Sequence, residues 1–217
     1  MSQAKSYRYI LLDWDGNLAQ TLDIWLGALK KSLEKRSYQF ADEEIGANFT
    51  LFKERMEARG IADVDIMIAE ADAIATKEAA NVELYPDVLV TLTALHGARR
   101  KVALVTTSRH DQIDPLLTKY KLRELFNIVV CGDDVTHHKP HPEPIEKALQ
   151  LLGAGKEDAI MVGDSASDVK SAHRAGIDSV LFFPPTHSKF YDAEEMKKLD
   201  PTYVIEDLRE IVRIALG

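Results

Sequence analysis

Short apolar runs recur along the chain, and each is followed by a polar turn and then by a segment with helical periodicity. The runs are apolar throughout and rich in β-branched residues, which is typical of strands buried on both faces of a sheet. Strands that alternate with helices indicate βαβ units and a parallel sheet. Five runs have this pattern: Tyr9–Leu12, Val102–Val105, Ile128–Cys131, Ile160–Val162 and Ser179–Phe183.

The connection between the first two predicted strands is much longer than the others. Asp13 and Thr106 are 93 residues apart, whereas one βαβ unit needs only about 30 residues. The additional stretch carries apolar stripes at helical spacing and no strand-like alternation. We therefore predict an inserted all-helical cap domain at residues 18–82 and an α/β core at residues 1–17 and 83–217. A single larger α/β layer with extra helices on one face is the alternative.

Composition and charge place the chain of 217 residues among ordinary globular proteins. Its formal net charge is −8, and no basic stripe with interleaved aromatic residues points to nucleic acid. No apolar run approaches the ~20 residues that span a bilayer, and the polar start of the chain lacks a signal-peptide core. One cysteine, Cys131, excludes an intramolecular disulfide. We expect a cytoplasmic protein without a membrane or nucleic-acid partner.

Polar and charged residues follow four of the predicted strands. Ligands of an open parallel sheet bind beyond the carboxyl ends of its strands, so we expect these side chains to share one pocket. The candidates are Asp13 and Asp15 after the first strand, Thr106 and Thr107 after the second, Lys139 in the loop after the third, and Asp164 and Asp168 after the fourth.

The four carboxylates can take different catalytic roles. Asp13 and Asp15 are two residues apart at a strand end, so their side chains point the same way and one carboxyl should have a raised pKa. Such a pair suits a nucleophile or metal ligand beside a general acid/base, although Asp-Gly alone is ordinary turn chemistry. Asp164 and Asp168 share a face at a helix start, where they can bind Mg²⁺ or cap the helix.

The remaining candidates suit a phosphate. Lys139 lies between stiffening prolines and is interpreted as a fixed countercharge rather than a solvated surface lysine. Thr106 offers a hydroxyl and, with Thr107 and Ser108, backbone N–H groups ahead of a helix. Four carboxylates and a phosphate dianion carry far more charge than Lys139 can balance. A divalent cation should therefore be needed for phosphate binding as well as for catalysis.

These residues, in this order, resemble the motifs of the haloacid dehalogenase-like (HAD) hydrolase superfamily. The helical insertion, with Tyr85-Pro86-Asp87-Val88 at the return to the core, is similar to the phosphoglycolate phosphatase/β-phosphoglucomutase-like branch. The resemblance implies a Rossmann-like parallel sheet flanked by helices, with an inserted all-helical cap. The four motifs are Asp13-Trp14-Asp15-Gly16-Asn17-Leu18, Val105-Thr106, Lys139-Pro140 and Gly163-Asp164-Ser165-Ala166-Ser167-Asp168.

The resemblance also implies roles for single residues. Asp13 would attack phosphorus to form an aspartyl-phosphate, and Asp15 would protonate the leaving oxygen and then activate water. Thr106 and Lys139 would bind the transferring phosphoryl group. Asp13, the backbone carbonyl of Asp15 and Asp164 would hold Mg²⁺.

Asp168 would help with the metal directly or through water. The function implied is a Mg²⁺-dependent phosphatase, a phosphoric monoester hydrolase acting on a small phosphorylated metabolite. An acid at position 15 favours phosphoryl transfer over dehalogenation. The family usually has Thr where Asn17 stands, and Asn17 can supply local hydrogen bonds in its place.

Two other functions stay open on the sequence. A sugar-phosphate mutase of the β-phosphoglucomutase type would use the same aspartyl-phosphate and need a bisphosphate activator. A non-catalytic phosphate-binding module would have a decayed site, and Asn17 alone favours it.

Specificity is expected to lie in the cap. Gly46-Ala47-Asn48 interrupts the helical pattern and, by resemblance, would be a loop facing the site, with Asn48 as a substrate contact. Lys53, Arg55 and Arg59 are candidate anion contacts or simply solvated helix charges. The oligomeric state cannot be read from the sequence.

A transition-metal site is a weak alternative use of the loop residues His137, His138 and His141 with Asp133 and Asp134, whose spacing matches no closed geometry.

Overall fold

The structure is a computed structural model that describes residues 5–47, 49 and 52–217, with the backbone alone at residue 47. Its centre is a six-stranded parallel sheet in the order β3-β2-β1-β4-β5-β6. The predicted α/β class is confirmed. The strands are β1 (Tyr9–Leu12), β2 (Lys101–Val105), β3 (Ile128–Val130), β4 (Ala159–Gly163), β5 (Asp178–Phe182) and β6 (Tyr203–Ile205).

Successive side chains of a strand point into two apolar cores, one on each face of the sheet. This explains why the strand sequences are apolar throughout. In β1, Ile10 and Leu12 join one buried cluster and Leu11 joins the other, as the two-residue repeat of a strand requires. β1 is one of the two central strands: Leu12 is in register with Leu104 of β2 on one side and Val162 of β4 on the other.

Helices cover both faces of this sheet. The helices α5 (Val88–Gly97), α6 (His110–Lys119) and α10 (Glu210–Leu216) contribute to the core on one face. The helices α7 (Glu143–Leu152) and α8 (Ala166–Ala175) contribute to the core on the other. The helix α8 ends at Gly176, whose φ of +72° is the left-handed conformation that glycine supplies at a helix end.

The long connection between β1 and β2 is helical, as its apolar stripes predict. It holds α1 (Leu22–Glu34), α2 (Asp42–Ala47), α3 (Phe52–Ala58) and α4 (Val64–Ala79), with α1 packed along α4. Its entering and leaving segments run side by side, and the Gln20 N–H donates to the Glu83 carbonyl at 2.9 Å. The exact division into a cap at residues 18–82 and a core at 1–17 and 83–217 stays a prediction.

The insertion has an apolar cluster of its own that continues into the core. Leu33 and Met67 are fully buried there together with Leu181 of β5 and Phe190 and Tyr191 from the loop after β5. That loop also contains the short helix α9 (Ala193–Lys197). None of the helices in the described part of the chain combines the length and the apolar character needed to cross a bilayer.

The expectation of a loop at Gly46-Ala47-Asn48 is wrong for its first two residues, because α2 runs through Ala47. Gly46 allows a close approach: a Cβ there would lie 2.2 Å from the carbonyl oxygen of Lys189. The glycine is explained by packing of the insertion on the core, and not by a break in the helix. Asn48, the predicted substrate contact, lies outside the described residues.

Candidate active site

The strand order brings the first, second and fourth motifs to adjacent positions. Asp13 follows β1, Thr106 follows β2 and Asp164 follows β4, and these three strands are neighbours in the sheet. The Asp13 N–H donates to the carbonyl of Val162 at 2.9 Å, and the Thr106 N–H donates to the carbonyl of Val130 at 3.0 Å. The backbone hydrogen bonds of the sheet therefore extend by one residue to Asp13 and Thr106, which fixes the positions of their Cα and Cβ atoms.

Lys139 reaches this edge from the loop after β3 and is buried there. Its ammonium lies 2.7 Å from Asp13 Oδ1 and 2.6 Å from Asp168 Oδ1, and it donates to the Val105 carbonyl at 3.1 Å. Three acceptors match the three N–H bonds of the ammonium. The structure thus places Lys139 as the countercharge that the proline-flanked loop predicts, in contact with two carboxylates.

Three buried carboxylates surround that ammonium. Oxygens of Asp13, Asp164 and Asp168 all lie within 4.8 Å of one another. Burial raises the pKa of Asp13 to about 7; the charge of Lys139 opposes this, and the charges of Asp168 and Asp15 add to it. Burial also raises the pKa of Asp164, with Asp168 and Asp13 adding to it. The cluster has a surplus of negative charge that a cation would relieve.

Hydrogen bonds hold two of these carboxylates in place. Asp168 Oδ2 accepts from the Ser165 N–H at 3.1 Å and from the Ser165 hydroxyl at 2.6 Å, which caps the start of α8. Its other oxygen faces Lys139, so one side chain both caps the helix and joins the cluster. Asp164 Oδ2 accepts from the buried Tyr191 hydroxyl at 2.9 Å.

The turn after β1 positions the second acid of the first motif. Asp15 is half-buried, and its Oδ2 accepts from the Ser108 hydroxyl at 2.9 Å, while the Ser108 N–H donates to the Thr106 hydroxyl at 3.1 Å. Gly16 follows with a φ of +69°, and a Cβ there would lie 2.2 Å from Asp164 Oδ2. Only a glycine lets the turn pass so close to that carboxylate.

Asn17 is fully buried and braces the same turn. Its amide donates to the Asp13 carbonyl at 3.0 Å, so it supplies the local hydrogen bond expected of this position. Its own carbonyl oxygen has no hydrogen-bond partner among the described residues. The Asn17 side chain therefore holds the turn directly after the nucleophile candidate through the backbone of Asp13.

Sequence reasoning missed two side-chain contacts of the described site. It named Ser108 only for its backbone N–H, whereas the Ser108 hydroxyl, two residues before α6, donates to Asp15. Tyr191 lies 27 residues beyond its partner Asp164, in a stretch without helical or strand periodicity. No local pattern marks such a contact.

The peripheral candidates do not join the carboxylate cluster in the described structure. Thr107 is exposed. Each predicted cationic anion contact pairs with a carboxylate instead: Lys53 with Asp65 at 2.6 Å, Arg55 with Glu195 at 3.5 Å and Arg59 with Glu44 at 3.8 Å. They are helix surface charges here.

The histidines of the Lys139 loop lie on its outer side. His137 stacks on His141 with ring centroids 4.6 Å apart, and its Nδ1 lies 2.8 Å from Glu143 Oε2. Both rings are exposed. Of the transition-metal alternative, the structure brings His137 and His141 together with Glu143, with ligand atoms within 4.8 Å of one another, while the Glu143 carboxylate also accepts two backbone N–H bonds of the same loop.

Comparison with known proteins identifies the family of the chain. The model of the haloacid dehalogenase-like hydrolases matches residues 10–182. The pyrophosphatase PpaX of Oceanobacillus iheyensis is 30% identical over 211 residues, which cover 96% of this chain and 97% of that protein.

Two solved structures share the fold over nearly their whole length. A protein from Bacteroides fragilis described as haloacid dehalogenase-like is 28% identical, with a TM-score of 0.79, covering 95% of this chain and 100% of that one. One from Lactobacillus plantarum described as a phosphoglycolate phosphatase is 21% identical, with a TM-score of 0.81, covering 96% and 99%. The chain therefore belongs to the haloacid dehalogenase-like hydrolase family and is a phosphatase.

Proposed function

We propose that the protein is a Mg²⁺-dependent phosphatase that cleaves the phosphoric monoester of a small metabolite through an aspartyl-phosphate at Asp13. The observation that carries this proposal is the buried cluster in which the Lys139 ammonium joins Asp13 to Asp168 beside Asp164. Such a cluster is costly in a purely structural role, because buried like charges repel. It suits a site that binds a cation and transfers a phosphoryl group.

The donor set fits Mg²⁺. Carboxylate oxygens are the hard ligands that this ion prefers, and the three buried carboxylates lie close enough to share one ion. Asp13, the backbone carbonyl of Asp15 and Asp164 would hold it. Both oxygens of Asp168 already accept hydrogen bonds, so its support would be indirect. When bound, the ion would offset the surplus negative charge and polarise a phosphoryl oxygen.

The reaction then proceeds in two displacements. An Asp13 oxygen forms a bond to phosphorus as the bond from phosphorus to the alcohol oxygen breaks, and Asp15 gives that oxygen its proton. Asp15 next takes a proton from water, whose oxygen bonds to phosphorus as the bond to Asp13 breaks. Inorganic phosphate leaves, and both aspartates return to their first state.

The other residues orient these groups. Lys139 contacts Asp13 at 2.7 Å and lies where it can neutralise charge on the transferring phosphoryl group. The Thr106 hydroxyl and the backbone N–H of Thr107 would donate to the phosphoryl oxygens, since the Thr106 N–H is held in the sheet ladder. The Ser108 hydroxyl fixes one oxygen of Asp15, which leaves the other free to move the proton.

The test is hydrolysis of p-nitrophenyl phosphate with Mg²⁺ and with EDTA. Asp13→Asn keeps the shape of the side chain but not the nucleophile, and we expect loss of at least about a thousandfold in kcat. The matched control is Asp200→Asn, which makes the same change at an exposed position and should hydrolyse at the wild-type rate. Equal rates for wild type and Asp13→Asn would remove the nucleophile assignment.

A second measurement tests the intermediate itself. Hydroxylamine converts an acyl phosphate to a hydroxamate, so turnover in its presence should modify Asp13 and no other carboxylate, as read by peptide mass spectrometry. Turnover without any modified aspartate would contradict the two-step route. EDTA should abolish both phosphate release and hydroxamate formation.

Inorganic pyrophosphate is the second candidate substrate. A relative aligned over nearly the whole chain bears the name pyrophosphatase, and the same two displacements would apply to a phosphoric anhydride. A panel of phosphorylated metabolites and pyrophosphate, assayed for Mg²⁺-dependent phosphate release, separates the candidates. A mutase would instead isomerise its substrate and require a bisphosphate activator.

A further inference from the structure

A cavity of about 200 Å³ lies beside the phosphoryl site, between helices of the insertion and α6 of the core. Its lining is mainly apolar. The Gln112 amide of α6 donates to the Thr76 hydroxyl of α4 at 2.5 Å, so a hydrogen bond ties the two walls together. The apolar lining includes Trp14, Ile24, Trp25, Ala75, Ala79 and Leu116.

The cavity is continuous with the proposed acid/base but not with the nucleophile. Asp15 and Ser108, which share a hydrogen bond, both line it, whereas Asp13, Thr106 and Lys139 are not among its described lining residues. A group bonded to the oxygen that Asp15 protonates would therefore extend into this space. The phosphoryl group itself would stay outside, near Asp13.

The charges around the cavity do not suit a second phosphate. Lys119 is the one cation among its described lining residues, and its ammonium already donates to the Ala80 carbonyl and to Asn81 Oδ1, both at 2.9 Å. The two other charged residues of that described lining, Asp15 and Asp111, are acidic. An anionic leaving group would be desolvated there without a countercharge, which is costly.

We propose, resting on the function proposed above, that this cavity binds the leaving group and that its preferred substrates are monoesters of a compact apolar alcohol. The size agrees, since an apolar cavity of about 150 Å³ suffices for one benzene ring. An alkyl group of about four carbons or a benzyl group fills the space and covers Trp25. Pyrophosphate and bisphosphates are disfavoured substrates.

The first test uses the wild-type protein with Mg²⁺ and a series of ethyl, propyl, butyl and benzyl phosphate beside pyrophosphate. These alcohols are all similarly poor leaving groups. Differences in kcat/KM within the series therefore reflect binding of the alkyl or benzyl group by the protein rather than the strength of the bond that breaks. Because each buried methylene adds about fourfold in binding, kcat/KM should rise about fourfold per methylene from ethyl to butyl phosphate. Benzyl phosphate should exceed pyrophosphate by roughly tenfold or more.

A variant that fills the cavity supplies the matched comparison. Ala79→Leu replaces a methyl group of the lining by an isobutyl group and should remove most of the gain from ethyl to butyl phosphate. Ala73→Leu makes the same change at an exposed position on the same helix, outside the described lining, and should keep the wild-type series. Equal series in the two variants would overturn the proposal.

Fluorescence gives a readout that does not depend on turnover. The chain has two tryptophans, and both Trp14 and Trp25 line the cavity. Titration with benzylphosphonate should change tryptophan emission with saturation, methylphosphonate should change it little, and Ala79→Leu should abolish the benzyl-specific change. Identical responses to the two phosphonates in the wild type would count against the cavity as the binding site.

The outcomes separate this proposal from the one on which it rests. Absence of phosphate release from every ester would contradict the phosphatase assignment to this site. Phosphate release with a flat alkyl series, or with pyrophosphate preferred over benzyl phosphate, would keep the phosphatase and overturn the apolar leaving-group site.

Discussion

Replacing Gly16 with alanine should damage the site more than it damages the fold. Two costs arise at this position. A residue with a side chain at a φ of +69° pays about 1 kcal/mol for the left-handed conformation. Its Cβ would also lie 2.2 Å from Asp164 Oδ2, well inside the distance at which real Cβ contacts occur.

Asp164 must therefore move, and the structure indicates what that motion breaks. The carboxylate is buried and accepts the Tyr191 hydrogen bond at 2.9 Å. A hydrogen bond to a charged group is worth about 1.5–3 kcal/mol. Together the two costs give a loss of about 2.5–4 kcal/mol in the free energy of unfolding. The displaced carboxylate should also weaken Mg²⁺ binding and lower kcat.

Gly60 provides a control that has the left-handed backbone conformation but no close neighbour. Gly60 has a φ of +76°, and a Cβ there meets nothing within 4 Å. Gly60→Ala should lose about 1 kcal/mol with unchanged kcat and Mg²⁺ dependence. Urea unfolding and Mg²⁺ titrations of p-nitrophenyl phosphate hydrolysis measure both variants. Two results together would refute a steric effect of residue 16 on Asp164. They are equal free energies of unfolding for Gly16→Ala and Gly60→Ala, and a wild-type Mg²⁺ dependence for Gly16→Ala.

Three further predictions concern single side chains. Lys139→Met leaves two buried carboxylates without their cation and should cost about 3–5 kcal/mol in urea unfolding at pH 7; a wild-type midpoint would contradict this. Tyr191→Phe removes the hydroxyl that reaches Asp164 and should weaken Mg²⁺ binding, measured by calorimetry, with little change in KM; unchanged affinity would refute it. Burial lowers the pKa of His187 to about 4, so the unfolded chain takes up a proton near pH 6.5 while the folded one does not, and stability falls as the pH drops. The wild type should lose about 1 kcal/mol more than His187→Gln between pH 7.5 and 5.5; parallel losses would contradict the buried neutral ring.

The sheet and the carboxylate cluster were predictable because both have local signatures. A strand such as Tyr9–Leu12 is apolar throughout since it is buried on both faces, and a polar residue directly after such a run marks a carboxyl end. The motif residues Asp13, Thr106 and Asp164 all have this position. Parallel pairing then places them side by side without any knowledge of the loops.

The contacts of Tyr191 and Gly46 could not be predicted, because they join segments of the chain that have no common sequence pattern. Tyr191 reaches Asp164 only because the loop after β5 folds back under the insertion, where Phe49 lies with its ring centroid 6.3 Å from that of Tyr191. Gly46 looked like a helix break, although its reason is a carbonyl of the same loop. Single-residue propensity cannot distinguish a glycine that ends a helix from one that admits a neighbour.

The central place of β1 in the sheet has a consequence for biosynthesis. Its two partner strands, β2 and β4, are translated long after it, and β4 begins about 150 residues later. At about 5–20 residues per second, a ribosome needs roughly 8 to 30 s to complete that interval. During this time the nascent chain exposes a wholly apolar strand with an open edge, a hazard for aggregation and a target for chaperones. Early termination before β4 should therefore yield insoluble fragments rather than partly active ones.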